Sequence, residues 1–197
     1  MPTPSAVAEP VAEAYRHGIG QALNALLRLG AFAAGDHVVN LCAGAGIDNL
    51  AIAGRVGPAG RLIAVDADPV ALGRLRELAA KHRLSGVVQP VTADVTTYRP
   101  PPGVTHLACA FGLHHLIAPA AVTRQWATAV PAGTSLLLLD WGPRGATVGD
   151  ACAGLPPVHP IWQPVAASTV RFGMPEPYPP VATIVIRRLT CRSKKEL

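Results

Sequence analysis

Long hydrophobic runs, aromatic residues and charge are all scarce in this chain of 197 residues. Gly, Pro or charged residues interrupt its apolar stretches before they reach the roughly 20 residues that span a bilayer, so the sequence predicts no membrane partner. Aromatic residues make up 5% and charged residues 15%, while 50% of the chain is hydrophobic. This composition excludes an intrinsically disordered protein and predicts one folded domain of ordinary size.

Cysteine is also sparse, and the four cysteines lack the short paired spacing of a zinc site or a small disulfide scaffold. They are Cys42, Cys109, Cys152 and Cys191, and we expect reduced thiols and no metal site. The N-terminus has neither a positive n-region nor an apolar h-region. The sequence therefore predicts a cytoplasmic protein.

Positive charge is concentrated at the C-terminus rather than spread along the chain. The net charge is +5, and residues 187–197 hold five Arg and Lys against Glu196, which leaves +1 for residues 1–186. A nucleic-acid-binding protein usually carries a basic stripe on its folded body. The sequence therefore predicts no nucleic-acid partner.

Short apolar runs alternate with helical patterns along most of the chain. A helix over residues 11–30 ends at Gly30, a helix C-cap signal. We predict strands at His37–Cys42, Arg61–Val65, Val87–Thr92, Val104–Ala110 and Ser135–Leu139, with helices at Asp48–Val56, Pro69–Arg83 and Pro119–Val130. This alternation predicts a parallel sheet with helices on both faces.

Prolines set two later segments apart. The run Pro100-Pro101-Pro102 leaves room for a loop or a single turn before the fourth strand. Nine prolines between residues 143 and 180 argue against a further crossover helix. Two runs beyond residue 164, Val165–Phe172 and Val181–Thr190, predict an antiparallel hairpin at the sheet edge.

The ends of the first two strands carry residues typical of a nucleotide site. Residues 38–48 read VVNLCAGAGID, and Asp66 ends the next strand. A strand, a glycine-containing turn, a helix and an acid about 20 residues further on form a nucleotide-binding unit. Gly44 and Gly46 allow a ligand close to the backbone, and Asp66 can accept both ribose hydroxyls. A dinucleotide fingerprint would need a third glycine at position 49, which is Asn.

Roughly residues 30–142 resemble the class I S-adenosylmethionine-dependent methyltransferases, whose first motif is acid-x-Gly-x-Gly-x-Gly and whose second is an acid ending the second strand. Positions 35–36, 68–69 and 93–94 and the segment Phe111–Leu116 are also similar to the family. The resemblance implies S-adenosylmethionine as cofactor, bound by Asn40, Cys42, Ala43, Gly44, Gly46, Asp66, Ala67, Asp94, Val95 and Phe111.

The resemblance also sets the expected fold and branch. It implies an α/β fold with a Rossmann-like, doubly wound, mostly parallel sheet and a C-terminal antiparallel hairpin. We divide the chain into an N-terminal cap helix segment (1–34), a cofactor-binding core (35–142) and a proline-rich lid with the hairpin (143–197). Residues 44–48 and 55–60 are similar to the arsenite and ubiquinone-type branch, but the late cysteines are too few for an arsenic substrate.

Two positions depart from the family's first motif. Asn40 stands where the family has an acid that helps to hold the methionine ammonium, and Cys42 stands at its first glycine. Because a charge-assisted hydrogen bond is about twice as strong as a neutral one, we expect an aspartate at position 40 to strengthen cofactor binding. Asp48 is interpreted as a first-turn acid of its helix. Two alternatives to methylation stay open: another reaction such as cyclisation, and a non-catalytic binding module.

The remaining candidates concern the acceptor. His114 and His115 follow the fourth strand, beside the expected sulfonium methyl group, and are the predicted general bases, with packing as the alternative. The predicted substrate-binding residues are Tyr15, His17, Asp140, Trp141 and Trp162. The predicted function is S-adenosylmethionine-dependent methylation of a small-molecule acceptor by a monomer or homodimer.

Overall fold

The computed structural model describes residues 4–142, 157–174 and 181–193. The helices are α1 (Pro4–Gly30), α2 (Ile47–Val56), α3 (Pro69–Lys81) and α4 (Pro119–Ala129), and a short 3₁₀ turn covers Leu113–His115. The strands are β1 (His37–Leu41), β2 (Arg61–Asp66), β3 (Val88–Thr92), β4 (His106–Ala110), β5 (Ser135–Trp141), β6 (Trp162–Gly173) and β7 (Val181–Cys191). Within these ranges, every helix is too short or too polar to cross a membrane.

The seven strands form one sheet in the order β3-β2-β1-β4-β5-β7-β6. The pairs among β1 to β5 are parallel, whereas β7 runs antiparallel to both β5 and β6. This arrangement confirms the predicted α/β sheet with a C-terminal antiparallel hairpin. Strands β2 and β3 are added on one side of β1, and β4 and β5 on the other, so the strand order reverses between β1 and β4. Open α/β sheets bind ligands at the carboxyl ends of the strands beside such a reversal.

The strands are apolar on both faces because helices or other packed elements cover each face. Successive residues of a strand point to opposite faces, and Val38 and Val39 accordingly belong to two different buried clusters. The first cluster packs α1, α2 and α3 against the sheet, and the second packs α4 against the other face. The short apolar runs of β1, β2, β4 and β5 therefore correspond to almost fully buried strands, whereas the edge strands β3 and β6 are partly exposed.

Helix α1 lies against the antiparallel part of the sheet. At Gly18 a side chain would overlap the ring of Phe172 in β6, so the helix backbone contacts that ring directly. The helix ends at Gly30, as predicted, but the residue in the left-handed conformation is Ala31, with φ of 51°. Gly30 is required for a different reason: a Cβ there would overlap Phe32 and lie 2.8 Å from Leu137.

Two segments refine the predicted boundaries. Residues 93–105 form turns and extended chain with no helix, as the proline run predicts. Strand β6 begins at Trp162, earlier than predicted, and a register shift between Pro164 and Ala166 lets the edge strand accommodate the proline. Trp162 is therefore part of the sheet rather than of a loop.

Candidate functional site

The loop between β1 and α2 follows the strand reversal and is shaped by left-handed backbone. Cys42 has φ of 57° and Gly44 has φ of 51°. The buried side chain of Asn49 donates hydrogen bonds to the carbonyl oxygens of Ala43 (2.9 Å) and Gly46 (3.0 Å). Asn49 stands where a dinucleotide fingerprint would have its third glycine, and its two hydrogen bonds hold the loop in place. The sequence motif alone does not reveal this role.

Asp66 joins the end of β2 to this loop. Its Oδ2 accepts a hydrogen bond from the backbone N–H of Gly44 at 2.8 Å, and its Oδ1 accepts one from the N–H of Asp68 at 2.9 Å. Each carboxylate oxygen has a second lone pair, and the side chain is only half-buried. Asp66 therefore keeps the capacity to accept ribose hydroxyls beside Gly44.

A buried polar cluster lies behind the loop. Asn40, which is fully buried, donates from Nδ2 to Asp48 Oδ2 and to Asn49 Oδ1, both at 2.8 Å. Its Oδ1 has no hydrogen-bond partner among the described residues. Burial raises the pKa of Asp48 above its ordinary value, and the hydrogen bonds from Asn40 and the backbone oppose this shift. Asp48 is thus more than a first-turn acid of α2, because it is hydrogen-bonded to position 40.

A cavity of about 660 Å³ opens between this loop and α1. Helix α1 contributes Ile19, Leu23 and Arg16, and Asp48 contributes an acid from the loop side. The other lining residues are Cys42, Ala43, Gly44, Gly46, Ala110, Phe111 and Leu139. The cavity is therefore mainly apolar, and its size suits a small molecule.

His114 and Asp140 form a close pair at the ends of β4 and β5. The Nδ1 atom of His114 lies 2.6 Å from Asp140 Oδ1. The carboxylate, 2% exposed, also accepts from the N–H of Trp141 at 2.8 Å. A carboxylate partner favours the tautomer with the proton on Nδ1, which leaves Nε2 of His114 as the basic nitrogen. Asp140 therefore lies behind His114, and neither residue lines the cavity.

The aromatic candidates divide between the two faces of the sheet. Phe111 lines the cavity, and its ring centroid lies 4.8 Å from that of Trp141. Trp162 is buried on the face covered by α4, where its Nε1 donates to the carbonyl of Thr123 at 2.8 Å. Phe111 and Trp141 are thus brought to the cavity region, whereas Trp162 is not.

The other predicted residues whose side chains are described do not line the cavity. His17 is exposed on α1 and is hydrogen-bonded to Gln21, and the side chain of Tyr15 lies outside the described part of the chain. Val95 is buried with α4, and Ala67 is exposed. The Asp94 carboxylate accepts hydrogen bonds from Thr96, which lower its pKa, so it stabilises the turn after β3. The ring centroid of His115 lies 4.0 Å from that of His114.

Two cysteine thiols meet beneath the loop. A Cβ on Gly112 would lie 2.8 Å from Cys42 Sγ and 2.9 Å from Cys109 Sγ. Cys109 is 1% exposed, whereas Cys42 lines the cavity. A hydrogen bond from Cys109 lowers the pKa of Cys42, while that bond and burial raise the pKa of Cys109. Both are free thiols, and their proximity is not visible in the sequence.

Comparisons with known proteins agree with this geometry. The family model of the methyltransferase domain matches residues 38–133. A comparison with curated proteins finds no match. Among solved structures, TrmN from Thermus thermophilus has a TM-score of 0.64 at 23% identity; the match covers 86% of this chain but 48% of TrmN.

Two further solved structures cover most of both chains. An RNA methyltransferase from Salinibacter ruber, in complex with S-adenosyl-L-homocysteine, has a TM-score of 0.59 at 15% identity and covers 98% of this chain and 95% of its own. The (4+2)-cyclase SpnF has a TM-score of 0.66 at 13% identity, with 87% and 81% covered. Identities this low establish the fold and leave the acceptor open.

The residues of the loop fit the cofactor of this family. The space around Gly44 is open, with the nearest atom to an added Cβ being the Gly46 nitrogen at 4.0 Å, so a ligand can approach the backbone there. Asp66 has acceptor capacity for a ribose, and Asp48 supplies negative charge to the cavity. Residues 38–133 therefore match a methyltransferase-domain family model, and the residues of the loop fit S-adenosylmethionine as the cofactor.

Proposed function

We propose that this chain transfers the methyl group of S-adenosylmethionine to a small-molecule acceptor bound in the cavity between α1 and the β1–α2 loop. The observation that supports it best is that one cavity of about 660 Å³ is lined both by the cofactor loop and by apolar residues of α1. Gly44 and Gly46 lie on one side, and Ile19 and Leu23 on the other. A cofactor and an acceptor bound there would be adjacent and shielded from water.

The cofactor supplies an activated methyl group on a sulfonium, and the residues of this chain supply orientation. In the proposal, Asp66 accepts the ribose hydroxyls beside Gly44. The carboxylate of Asp48, which lines the cavity and accepts a hydrogen bond from the buried Asn40, receives the methionine ammonium. Phe111 and the apolar side chains of α1 exclude water from the reacting atoms. Alignment and exclusion of water are the main requirements of an in-line displacement.

A proton must leave an acceptor whose nucleophile is a hydroxyl or an amine. We assign this step to Nε2 of His114, because Asp140 accepts from Nδ1 and fixes the imidazole in one orientation. His114 does not line the cavity itself but follows the lining residue Phe111 by three positions, so the acceptor must extend to the edge of the cavity to reach it. Asp140 acts through His114 as a positioning residue. His115, whose ring lies beside that of His114, is the second candidate, and it lacks a comparable carboxylate contact among the described residues.

The charged residues that line the cavity indicate which chemical class of acceptor it favours. Arg16 extends from α1 into a lining that is otherwise apolar apart from Asp48 and backbone groups. An arginine in such surroundings favours an anionic group on the ligand. We therefore propose an apolar acceptor that carries a carboxylate or another acidic group at the end facing Arg16.

RNA is the competing acceptor class, since one structural neighbour is described as an RNA methyltransferase. RNA binding needs a basic surface along the path of the strand. Residues 1–186 carry a net charge of +1 when the surplus of residues 187–197 is set apart. This distribution, together with the mainly apolar cavity, supports the small-molecule proposal and no nucleic-acid partner.

The decisive experiment is incubation with S-adenosylmethionine carrying an isotopically labelled methyl group and a panel of apolar acids, matched neutral analogues and bulk RNA. We expect S-adenosylhomocysteine and a product heavier by one labelled methyl group, formed from an apolar acid faster than from its neutral analogue. Label in RNA alone would overturn the small-molecule assignment. A rearranged product with no added methyl would indicate cyclisation, and failure to bind S-adenosylhomocysteine would indicate a non-catalytic module.

A further inference from the structure

We propose that Cys42 and Cys109 form a redox-active pair, and that their oxidation to a disulfide prevents cofactor binding by the β1–α2 loop. The bond itself can be observed without any activity, whereas its effect rests on the cofactor site described above. This modification site within the chain is independent of the acceptor.

Strand pairing brings the two cysteines to the same end of the sheet. Asn40 of β1 lies opposite Ala108 of β4 in the parallel register, so Cys42 and Cys109 both lie at the carboxyl ends of adjacent strands. Both sulfur atoms lie close to the position that a Gly112 Cβ would take, at 2.8 and 2.9 Å from it, and the two thiols are hydrogen-bonded to each other. Adjacent strands are about 4.8 Å apart, a spacing compatible with the Cα separations found in disulfides.

Cys42 has a backbone conformation that disfavours a residue with a side chain. Its φ of 57° lies in the left-handed region that favours glycine, and the corresponding position of the family's first motif is a glycine. This chain nevertheless has a Cβ and a thiol at that position, and the thiol is hydrogen-bonded to the Cys109 side chain. Cys42 therefore provides a thiol next to Cys109, which a glycine at that position would not.

The two thiols differ in the way that a nucleophilic and a resolving cysteine differ. Cys42 is partly exposed and lines the cavity, so a small oxidant can reach it. The hydrogen bond from Cys109 lowers the Cys42 pKa and favours its thiolate, which is the reactive form. Cys109 is 1% exposed, so it reacts with its neighbour rather than with a reagent from solution.

The oxidant is a small-molecule disulfide such as oxidised glutathione. The Cys42 thiolate attacks one sulfur of this disulfide, forms a mixed disulfide and releases one glutathione thiolate. The Cys109 thiol then gives up its proton, its sulfur attacks Cys42 Sγ, and the second glutathione thiolate leaves. Two protein thiols are oxidised, one small disulfide is reduced to two thiols, and the protons pass to the released glutathione.

Bond formation changes the loop because a disulfide requires a sulfur separation of about 2.0 Å. Cys42 must then move toward β4, and it carries with it Ala43 and Gly44, whose N–H groups bond to Val65 and Asp66. The backbone of Gly112 packs so near Cys42 that an added Cβ would overlap the Cβ of Cys42, so the turn that carries His114 is displaced as well. The oxidised loop no longer presents Gly44 beside Asp66.

The first test is peptide mapping of the wild-type protein after incubation with excess oxidised glutathione. We expect a disulfide between the peptides that contain Cys42 and Cys109, with dithiothreitol restoring both thiols. Glutathione bound at Cys42 without that link, or no reaction at either cysteine while the protein stays folded, would overturn the proposal. No variant is needed for this measurement.

The second test is calorimetric titration of S-adenosylhomocysteine into reduced and oxidised protein. We expect oxidation to weaken binding about tenfold or more, and dithiothreitol to restore it. Cys109→Ser should accumulate the mixed disulfide at Cys42, while Cys191→Ser, which removes a buried cysteine of β7 in the same core cluster as Cys109, should still form the link. A Cys42–Cys109 disulfide with unchanged affinity would refute the regulatory effect. Weak binding by the reduced protein would instead count against the cofactor site.

Discussion

Asn40 and Asp48 are joined by a hydrogen bond of 2.8 Å in which the amide Nδ2 donates to the carboxylate Oδ2. The family has an acid at the position of Asn40. In this chain the negative charge is instead on Asp48, to which Asn40 is hydrogen-bonded. Position 40 must be neutral and a donor, because it also donates to Asn49 Oδ1. The departure at Asn40 is thus accompanied by a carboxylate that lines the cavity.

Asn40→Asp should weaken cofactor binding, which reverses the expectation from the sequence. The variant places two carboxylates in contact and loses the donor to Asp48 and Asn49, and hydrogen bonds to charged groups contribute about 1.5–3 kcal/mol. We expect roughly tenfold weaker binding of S-adenosylhomocysteine by calorimetry. The double variant Asn40→Asp/Asp48→Asn, which exchanges the charge and the amide, should recover much of the loss. Tighter binding by the single variant would show that Asp48 does not share this subsite.

Asp48→Asn should stabilise the protein without cofactor near neutral pH. Burial raises the pKa of Asp48 in the folded protein above its ordinary value of 3.8. Between that ordinary pKa and the raised one, the folded state binds more protons than the unfolded state. The free energy of unfolding therefore falls as pH rises through that window, and the variant should lack this contribution. Urea denaturation from about pH 4 to about pH 7 measures the difference. A wild-type and variant difference that does not change with pH would contradict it.

Asp66→Ala should weaken cofactor binding by about tenfold or more, since the ribose acceptor is lost together with the contact to the Gly44 N–H. Asp68→Ala is the matched control. Asp68 is the N-cap of α3 and accepts from the Val70 N–H at 2.8 Å, so its loss should reduce stability by about 1 kcal/mol and leave affinity nearly unchanged. Equal affinities of the two variants would remove Asp66 from the site.

His114→Ala should lower turnover about 10²–10⁴-fold with little change in S-adenosylhomocysteine affinity. Asp140→Asn keeps the shape but no longer favours the proton on His114 Nδ1, so turnover should fall while the KM of the acceptor changes little. His115→Ala is the matched control for the adjacent exposed ring. Full turnover in both His114→Ala and His115→Ala would mean that the two histidines serve packing and that transfer depends on alignment alone, whereas a loss in His115→Ala alone would assign the base to His115.

Gly112→Ala should destabilise the protein by about 1–3 kcal/mol, because the added methyl group overlaps Cys42 and approaches both sulfurs. Gly54→Ala is a suitable comparison, since an added Cβ in α2 meets nothing within 4 Å. That variant should gain about 0.5–1 kcal/mol from helix propensity. Thermal and urea denaturation of the two variants measure the contrast. Equal stability of both would show that the Cys42 and Cys109 side chains can move aside freely.

The local parts of the fold and site could be predicted from sequence. Apolar runs bounded by Gly and Pro give the strands, and the motif around Gly44 together with Asp66 gives the cofactor loop because both depend on short-range spacing. The start of β6 at Trp162 could not be found in this way, since its pairing with β7 and not its own pattern extends the strand.

Side-chain partners distant in sequence were also beyond reach. His114 and Asp140 are 26 residues apart and belong to different strand ends, so their pairing follows from the parallel register of β4 and β5. The same holds for Cys42 and Cys109, which only the pairing of β1 with β4 brings together. The sequence shows that these residues are present but does not indicate which of them contact each other in the fold.

The position of β7 between β5 and β6 governs the order in which the molecule can be assembled during synthesis. Strand β6 leaves the ribosome before β7, the strand to which it must pair. Helix α1 emerges first, yet Gly18 packs against Phe172 of β6. The nascent chain must therefore keep apolar residues of α1 such as Ala22 and Leu26, which are buried in the folded protein, available until β7 has emerged, and non-local pairing of this kind slows folding. A chain interrupted before β7 would present these apolar residues to chaperones and proteases.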